Sequence, residues 1–505
     1  MNLLSFSGLI LIPLVSSPLV YLAGRVGSHD ITLHRRSYLV RILALAAVLI
    51  SWFPFIVSAR DFFLFGTRKF NIETIWLHVD GISLLMAGCI LLLGTLVILF
   101  SGSYMMEEVG EEKYYAMLLA MMGLMIGLVT ASDLFNLWVW FEGMAISSYL
   151  LVAFYREQPA SLEAGIKYLV QSAIGSVLVL AGIAIVLAHT GTLDMAEISA
   201  AAGSDVSRYA LLAAGALFLI GFGVKVALVP MHTWLPDAHS QAPSGISAML
   251  SGVVIEIGLI AMLRALAVLT GSTISWGLLL LLFGAVNILY GNLLALRQTV
   301  VKRMLAYSSL SHIGYILLGL GIALSSGITL GAQGAFFHLF THMLMKGLAF
   351  LSVGALMYGL FLQNDSHASL KVTDLAGAAQ RYPWVALALS IAVLALGGMP
   401  PLAGFMSKWQ IFVAGFETGN AWIIVLMIFM ALNSVVSLGY YAPLVNLMYR
   451  REPSQAVLHG KPLTWTIVAP LLLMTALVLL LGLLPGLLNG LTLPAAEQLM
   501  TMFGY

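Results

Sequence analysis

VALVPMHTWLPDAH (residues 226–239) and LGGMPPLAGFMSKW (residues 396–409) are the two stretches that decide how this chain folds. Each lies in a long apolar run, and each contains prolines that interrupt a helix and polar side chains that follow them. A broken helix at membrane depth is tolerated only beside protein or a water-filled cavity, and matched breaks in two halves of a chain indicate repeated architecture. About four or five helices precede each break, which fits two repeats of about five helices.

The composition indicates an all-α integral membrane protein. Of the 505 residues, 61% are apolar and 9% are charged, whereas ordinary soluble domains are roughly half apolar. Apolar runs of about 18 or more residues recur from end to end, and each is long enough to cross a hydrocarbon core of roughly 30 Å as a helix. The predicted spans, about fourteen in number, cover residues 3–24, 37–58, 81–100, 114–131, 134–155, 164–189, 208–232, 243–268, 273–296, 303–323, 329–360, 382–412, 420–449 and 464–490.

These spans predict four parts of the chain. Residues 1–113 hold the first three helices, and residues 114–268 hold helices four to eight as a first repeat. Residues 269–449 hold helices nine to thirteen as a second repeat. Residues 450–505 hold the last helix.

Charge and cysteine content limit the possible partners and give an orientation. The net charge of +1 argues against nucleic acid as a partner. The single cysteine, Cys89, excludes an internal disulfide or a cysteine-ligated iron–sulfur cluster, so any redox chemistry belongs to other subunits. Lys and Arg are about three times as frequent in one set of alternate loops as in the other. We therefore predict that residues 25–36 and 297–303 face the cytoplasm and that both termini lie on the opposite side.

Several titratable residues lie inside the predicted spans. An ionised side chain near the bilayer midplane costs roughly 2.5 to 3.5 kcal/mol on insertion scales, so such residues usually face the bundle interior. They could be ion pairs and hydrogen bonds that pack helices together. Because four separated helices carry such groups near mid-depth, we favour a proton relay as the role of the set. Those groups are Glu142, Lys225, Glu256, His338, His342 and Lys346, and Lys408, which follows the second break, belongs to the set as well.

The residue types suit proton transfer. A relay needs groups whose pKa can be moved towards neutrality, and burial does this for both lysine and glutamate, while an adjacent opposite charge reverses the shift. A Glu and a Lys that alternately pair and separate can therefore load and release a proton. The spacing of His338, His342 and Lys346 at i, i+4 and i+8 puts all three within about 80° on one helix face.

Other polar residues carry weaker signals. Asp133 lies at a helix start in TASDLF, where capping the helix is its favoured role. His232, Asp237 and His239 flank the first break and could either bind water at a cavity mouth or satisfy the broken backbone. His312, in YSSLSHIGYILLG, is a candidate for the proton path.

KVALVPMHTWLPDAHSQAP (residues 225–243), RMLAYSSLSHIGYILLG (residues 303–319) and the second break together resemble the proton-pumping antiporter family. That family includes the antiporter-like membrane subunits of complex I, the large subunits of Mrp cation/proton antiporters, and their counterparts in membrane-bound hydrogenases and formate hydrogenlyase. The resemblance covers roughly residues 80–450. It implies a fourteen-helix subunit with two inverted five-helix repeats, discontinuous seventh and twelfth helices, and a central hydrated axis of ionisable residues.

The resemblance also implies roles for individual residues. Glu142 matches the family's fifth-helix glutamate and Lys225 its seventh-helix lysine, which together form the input-side switch. Lys408 takes the twelfth-helix position near the proton exit. The region of the central and second-half relay contains His312, His342 and Lys346.

Glu256 departs from the family pattern. The chain reads SGVVIE where many members carry a lysine in the eighth helix, so the central relay is expected to have inverted charge there. Lys225 is the nearest cationic candidate in sequence to pair with an ionised Glu256.

These observations predict a multi-pass membrane subunit of a redox-driven proton or sodium pump, in a bacterial or archaeal plasma membrane or an organellar inner membrane. The chain is expected to bind no cofactor itself, with flavin and iron–sulfur clusters on partner subunits. Its expected partners are other membrane subunits, including homologous antiporter-like ones, and the lipid bilayer. A Mrp-type Na⁺/H⁺ antiporter subunit and a stand-alone solute transporter are the alternatives.

Overall fold

The computed structural model of the protein describes residues 3–25, 33–72, 75–106, 108–201, 207–269, 275–361 and 367–505. The side chains of residues 3–5, 33–37, 71–72 and 75 are left out of the description as well. The predicted cytoplasmic segment 25–36 falls largely on residues 26–32, which lie outside the described part.

The described chain is almost entirely helical. The longer helices are α1 (Leu3–Arg25), α2 (Leu33–Phe65), α3 (Gly81–Tyr104), α4 (Glu111–Thr130), α5 (Leu134–Val152), α6 (Pro159–Thr190), α8 (Arg208–Val226), α11 (Ile255–Ala267), α12 (Trp276–Ala295), α13 (Val301–Ser326), α14 (Thr329–Leu360), α16 (Pro383–Gly397), α17 (Ala403–Glu417), α18 (Ala421–Arg450), α20 (Trp465–Leu483) and α21 (Asn489–Met502). The shorter ones are α7 (Met195–Ala201), α9 (Trp234–Gln241), α10 (Ser244–Met249), α15 (Ala378–Arg381) and α19 (Gln455–His459).

The prediction of an all-α polytopic membrane protein is confirmed. Twelve helices among the described residues are long and apolar enough to cross a membrane. The two predicted spans outside that set are residues 134–155, which correspond to α5, and residues 382–412, which divide into α16 and α17. A total of fourteen crossings stays a prediction.

The seventh predicted span is discontinuous. Helix α8 ends at Val226, and Ala227 adopts a left-handed conformation (φ 59°) that is uncommon for residues other than glycine. Two side chains satisfy the freed backbone, because Asn287 accepts from the Val229 amide at 2.9 Å and the Trp234 indole donates to the Val224 carbonyl at 2.7 Å.

The twelfth predicted span is broken in the same way. Helix α16 ends at Gly397, Gly398 is left-handed (φ 78°), and α17 begins at Ala403. The carbonyls left free at the end of α16 are taken by side chains: Lys408 donates to the Leu396 oxygen at 2.9 Å and Ser434 to the Gly397 oxygen at 3.1 Å.

The eighth predicted span, residues 243–268, contains an irregularity that the sequence did not predict. It consists of α10, a π-helical turn over Leu250–Val254, and then α11. In its most apolar window this span is 100% buried, and those of α13 and α14 are 94% buried, compared with 28% for α18. The eighth span, α13 and α14 therefore form the centre of the bundle, and α18 lies at its periphery.

Two further elements were not predicted. Strands β1 (Arg68–Ile72) and β2 (Ile75–Val79) form an antiparallel hairpin that pairs Arg68 with Val79. Asp80 follows directly and caps α3, where it exchanges hydrogen bonds with Ser83. At the other end of the chain, α21 packs on α3 and α14.

Candidate functional site

Lys225 lies at the end of α8, immediately before the first break, and is 1% exposed. Its ammonium donates to the Ser148 hydroxyl at 3.0 Å and to the Tyr168 hydroxyl. It also lies 4.7 Å from the centroid of the Tyr168 ring, which stacks on Trp234 of α9 with centroids 3.9 Å apart. The break therefore holds the lysine between α5 and α6, with neutral partners.

Glu142 lies on α5, half-buried, in the same part of the molecule. Its Oε1 atom is buried and has no hydrogen-bond partner within the described part of the protein. Among the described residues no ion pair joins Glu142 to Lys225, so the predicted switch pair is separated in this structure.

Glu256 pairs with His342 instead of with Lys225. The Glu256 Oε1 to His342 Nδ1 distance is 2.7 Å, and both side chains are 0% exposed. Lys225, the candidate that sequence distance favoured, is therefore not the partner in this structure. Although α11 packs on α8, the helix α10 and the π-helical turn of the same span pack on α14, which carries His342. The aliphatic part of the Lys225 side chain lies against α11, because a Cβ added at Gly258 of that helix would lie 3.0 Å from Lys225 Cγ.

Three histidines continue the line from Glu256. The ring of His342 stacks on His312 with centroids 5.2 Å apart, and His312 Nδ1 lies 3.1 Å from His338 Nε2. His338 Nδ1 in turn lies 2.8 Å from the Ser407 hydroxyl on α17. The predicted stripe on α14 thus meets His312 of α13 at the centre of the bundle.

The two remaining lysines lie beside this line. Lys346 donates to the Leu305 carbonyl at 2.7 Å and to the Ser308 hydroxyl. Lys408 donates to the Leu396 carbonyl and the Ser434 hydroxyl, both at 2.9 Å. Its ammonium lies 4.4 Å from the centroid of the Tyr315 ring, whose edge contacts His338.

The weaker candidates have mixed surroundings. Asp133 caps α5 by accepting from the Asn136 amide at 2.7 Å, in agreement with the capping interpretation. Asp237 forms ion pairs with Lys167, at 3.2 Å, and with Arg303.

The two histidines beside the first break differ in burial and contacts. His232 is 5% exposed and packs edge-on against Tyr290. His239 is fully buried and stacks on Phe350, and neither of its ring nitrogens has a hydrogen-bond partner among the residues that the structure describes.

The sequence did not identify several members of the site. The hydroxyls of Ser148, Tyr168 and Ser407 carry no sequence signal that separates them from other polar residues in spans. Lys302, which sequence reasoning counted among loop charges, is 4% exposed and donates to the Ala242 carbonyl at 2.8 Å. Its place next to the apolar start of α13 is the signal that could have identified it. Within the described part of the chain, no group of His, Cys, Asp and Glu has the arrangement of a metal site.

Comparisons with known proteins show the family of the chain. The family described as NADH:quinone oxidoreductase/Mrp antiporter, transmembrane, matches residues 131–434, and the one described as NADH-ubiquinone oxidoreductase (complex I), chain 5 N-terminus, matches residues 66–115. The chain is 34% identical over 426 residues to NADH-quinone oxidoreductase subunit N 2 of Roseiflexus castenholzii, covering 82% of this chain and 83% of the relative. It is 31% identical over 472 residues to F(420)H(2) dehydrogenase subunit N of Methanosarcina mazei, covering 92% of each.

Solved structures show the same fold. A chain of the membrane-bound sulfane sulfur reductase, an archaeal respiratory membrane complex, superposes with a TM-score of 0.85 at 28% identity over 97% of each chain. A chain of respiratory complex I from Thermus thermophilus gives 0.76 at 27% identity, covering 96% of this chain and 99% of that one. A chain of the Mrp complex from Dietzia sp. gives 0.85 at 23% identity, over 99% and 98%, and that likeness shows the fold alone.

Proposed function

The chain belongs to the NADH:quinone oxidoreductase/Mrp antiporter family of membrane subunits, and from that premise we propose that it translocates protons as an antiporter-like subunit of a redox-driven pump. The two relatives named above, at 34% and 31% identity, carry the names of oxidoreductase and dehydrogenase subunits. The similarity to the Mrp complex is 23% and extends to the fold only. This difference favours a redox-driven complex over the Mrp-type alternative.

The observation that carries the proposal is the buried line Glu256, His342, His312, His338 and Ser407. Its members are 0% or 1% exposed, and each lies in hydrogen-bond or ring contact with the next. A neutral imidazole has one nitrogen that donates and one that accepts, so a proton that arrives on one nitrogen can leave from the other. Protons can therefore pass along the hydrogen-bonded pair of Glu256 and His342, and along the series His312, His338 and Ser407. Between these two segments the rings of His342 and His312 stack without a hydrogen bond, so in this proposal a water molecule carries the proton there.

In this proposal the first break supplies the entrance. Lys225 has two neutral hydroxyl partners, and Glu142 has an unpartnered buried oxygen. When the two approach, the ion pair favours a protonated lysine, and when they separate, desolvation favours release of that proton. The proton then has Glu256 as the next acceptor, because the Lys225 stem passes Gly258 on the same helix.

The second break supplies the exit. Ser407 and Lys408 are consecutive residues on α17, so the hydroxyl at the end of the histidine line adjoins the lysine. Lys408 donates to the Leu396 carbonyl at the end of α16. Broken helices at membrane depth are tolerated beside water-filled cavities, so the proposal places proton release at this break. Lys346 lies one helical turn beyond His342 on α14 and so adjoins the route.

The assembly proposed here has its redox groups on other subunits. Cys89 is the only cysteine, and it is buried in α3. Homologous antiporter-like subunits and the bilayer surround the chain, and residues 114–268 and 269–449 act as its two repeats. The matched breaks, each with a buried lysine, support that division.

Orientation is proposed from the loop charges alone, with both termini on the non-cytoplasmic side. A cysteine placed at Ser28, which lies outside the described residues, tests it by labelling with an impermeant reagent. Labelling from the cytoplasmic side is expected. Reaction from the outer side only would reverse the orientation.

The relay is tested by replacing one ring of the stack. His342→Leu removes the contacts to both Glu256 and His312, so proton uptake by inverted membrane vesicles should fall roughly tenfold or more, by analogy with the loss of a general acid–base group. Electron transfer through the assembled complex is measured in parallel. The matched control is His189→Leu, because His189 is exposed and bonds only within its own helix. Unchanged uptake in His342→Leu would contradict the proposal.

The alternative classes are separated by purification in mild detergent. A redox assembly brings flavin or iron–sulfur absorbance with the chain, a Mrp assembly brings several small colourless partners, and a solute permease brings little or nothing. Absence of chromophore from an intact, multi-subunit preparation would favour the Mrp-type alternative.

A further inference from the structure

A buried ion pair lies away from the histidine line, at the other end of α11. Arg264 Nη2 donates to Asp80 Oδ1 at 3.0 Å and to Oδ2 at 2.8 Å, and also to the Val129 carbonyl at 2.9 Å. Arg264 is 3% exposed and Asp80 is 0% exposed. The two charges compensate each other, and His78 Nδ1 also lies 3.5 Å from Asp80 Oδ2.

The pair joins the ends of three helices. Asp80 is the N-cap of α3 and is fixed there by reciprocal hydrogen bonds with Ser83. Val129 lies in the last turn of α4, and Arg264 in the last turn of α11. The Arg264 guanidinium thus holds the C-terminal end of α11 against the start of α3 and the end of α4.

Helix α11 connects this ion pair to Glu256, a member of the proposed relay. Glu256 and Arg264 lie on one uninterrupted α-helix, eight residues and about 12 Å apart along its axis. On the opposite side of Glu256 the span is irregular, because the π-helical turn Leu250–Val254 immediately precedes α11. Since π turns are points where a helix can shift register, the fixed end of α11 is the one that bears Arg264.

We propose that Arg264 and Asp80 are positioning residues that hold Glu256 within hydrogen-bond distance of His342. Neither residue touches the relay, and neither is a proton carrier in this account. The pair fixes the rotation of α11 about its own axis and its position along that axis. It thereby determines which residue the Glu256 carboxylate contacts. The inference rests on the proposed function only in giving Glu256 a role in proton transfer.

The experiment removes the anchor without leaving a buried charge. The double variant Asp80→Asn/Arg264→Met replaces both charged groups in the full complex, because loss of one partner alone would leave the other uncompensated. Infrared difference spectra across a pH titration, with Glu256→Gln used to assign the bands, report the titration midpoint of the Glu256 carboxyl. The proton-to-electron ratio is measured on the same preparations.

The matched control is Arg41→Met/Glu111→Gln, which removes an ion pair between α2 and α4 that does not involve α11. We expect the Glu256 midpoint to move by about one unit in the anchor variant and to stay in place in the control. The more conservative Arg264→Lys keeps the charge and should move the midpoint in the same direction by less. It serves as the test variant if the double substitution fails to assemble.

The outcomes separate the two claims. A midpoint that stays in place in both anchor variants overturns the positioning role. A midpoint that moves, with a lowered proton-to-electron ratio, supports both the positioning role and the relay. A midpoint that moves while the ratio is unchanged supports the positioning role and contradicts the part of the proposed function that routes protons through Glu256.

Discussion

The two broken spans place a lysine on opposite sides of the break. Lys225 precedes the first break, on α8, and its ammonium meets two neutral hydroxyls. Lys408 follows the second break, on α17, and its ammonium meets the Leu396 carbonyl at the end of α16. A helix C-terminus carries partial negative charge, so the Leu396 carbonyl compensates the Lys408 ammonium directly. Lys225 lies in the last turn of α8, but its ammonium donates to the hydroxyls of Ser148 and Tyr168.

In the proposed function, this difference gives the two ends of the path different tasks. Because hydroxyls compensate a buried ammonium only partly, the charge on Lys225 depends on where the Glu142 carboxylate lies. The charge on Lys408 is compensated by the Leu396 carbonyl, a backbone group that neither takes up nor releases a proton. The first break is therefore suited to gating and the second to holding a site of release.

The largest effect is expected at the first break. Glu142→Gln or Lys225→Met removes one member of the pair. Proton uptake by vesicles should then fall roughly a hundredfold or more, which is the loss typical of removing a general acid–base group. Assembly is checked by the electron-transfer rate of the purified complex.

Arg156→Ala is the control for this prediction, because Arg156 is largely exposed. Pumping at the unmodified rate by either the Glu142 or the Lys225 variant, with assembly intact, would reduce the pair to a packing role and remove the distinction between the two breaks.

A smaller loss, roughly tenfold, is expected from Lys408→Ala. Lys408→Glu should retain part of the activity, because a protonated carboxyl can still donate to the Leu396 carbonyl, whereas an ionised one cannot. Proton release is measured with a pH-sensitive dye on the outer face. If the alanine variant releases protons normally, the exit lies elsewhere.

Ser407→Ala sharpens the comparison further with an expected loss of a few-fold. The hydroxyl links His338 to the α17 segment, but a water molecule can replace a hydroxyl in such a chain at modest cost. Ser434→Ala, which removes a partner of Lys408 without touching the histidines, is the matched variant. An equal or larger loss in Ser434→Ala would indicate that protons bypass Ser407.

The smallest expected effect is on stability and lies outside the membrane-spanning segments. Burial raises the pKa of Glu108 from 4.5 to about 7, so the folded protein holds a proton that the unfolded chain has lost between those values. Stability should therefore fall as pH rises from 4.5 to 7, and the penalty is complete above 7.

Glu108→Gln removes that penalty. The free energy of unfolding at pH 8 should rise by about 1 kcal/mol or less, discounted for partial exposure, with no gain near pH 4. Unfolding in detergent measured at several pH values checks this, with the exposed Glu157→Gln as the control. A gain of the same size at pH 4 would contradict the assignment to ionisation.

The fold was predictable where the sequence departs from uniform apolarity. Prolines at positions 230 and 400 gave both breaks, since proline cannot continue a helix without losing a hydrogen bond. The hairpin of β1 and β2 was missed because its strands are five residues each and alternate only weakly. Helix α21 was missed because residues 464–490 form one apolar run. Nothing in that run marks the end of α20 at Leu483 or the start of α21 at Asn489.

The site was predictable in composition but not in pairing. Each titratable residue inside a span could be named from its cost in the membrane, yet sequence distance suggested Lys225 as the partner of Glu256 where folding supplies His342. The pairing depends on how the eighth span packs on α14, and that information is spread over many apolar contacts. The Asp80 and Arg264 pair was missed for the same reason, since its members are far apart in sequence.

The claim that protons cross between the breaks through Glu256 is tested most directly by the proton-to-electron ratio of the Glu256→Gln complex in proteoliposomes. The glutamine keeps the shape and a hydrogen bond to His342 but cannot ionise. We predict that the variant assembles normally and that its electron transfer is slower or no longer coupled to proton transfer. The proton-to-electron ratio should fall by the number of protons that this subunit moves per electron. An unchanged ratio at an unchanged rate would contradict the account.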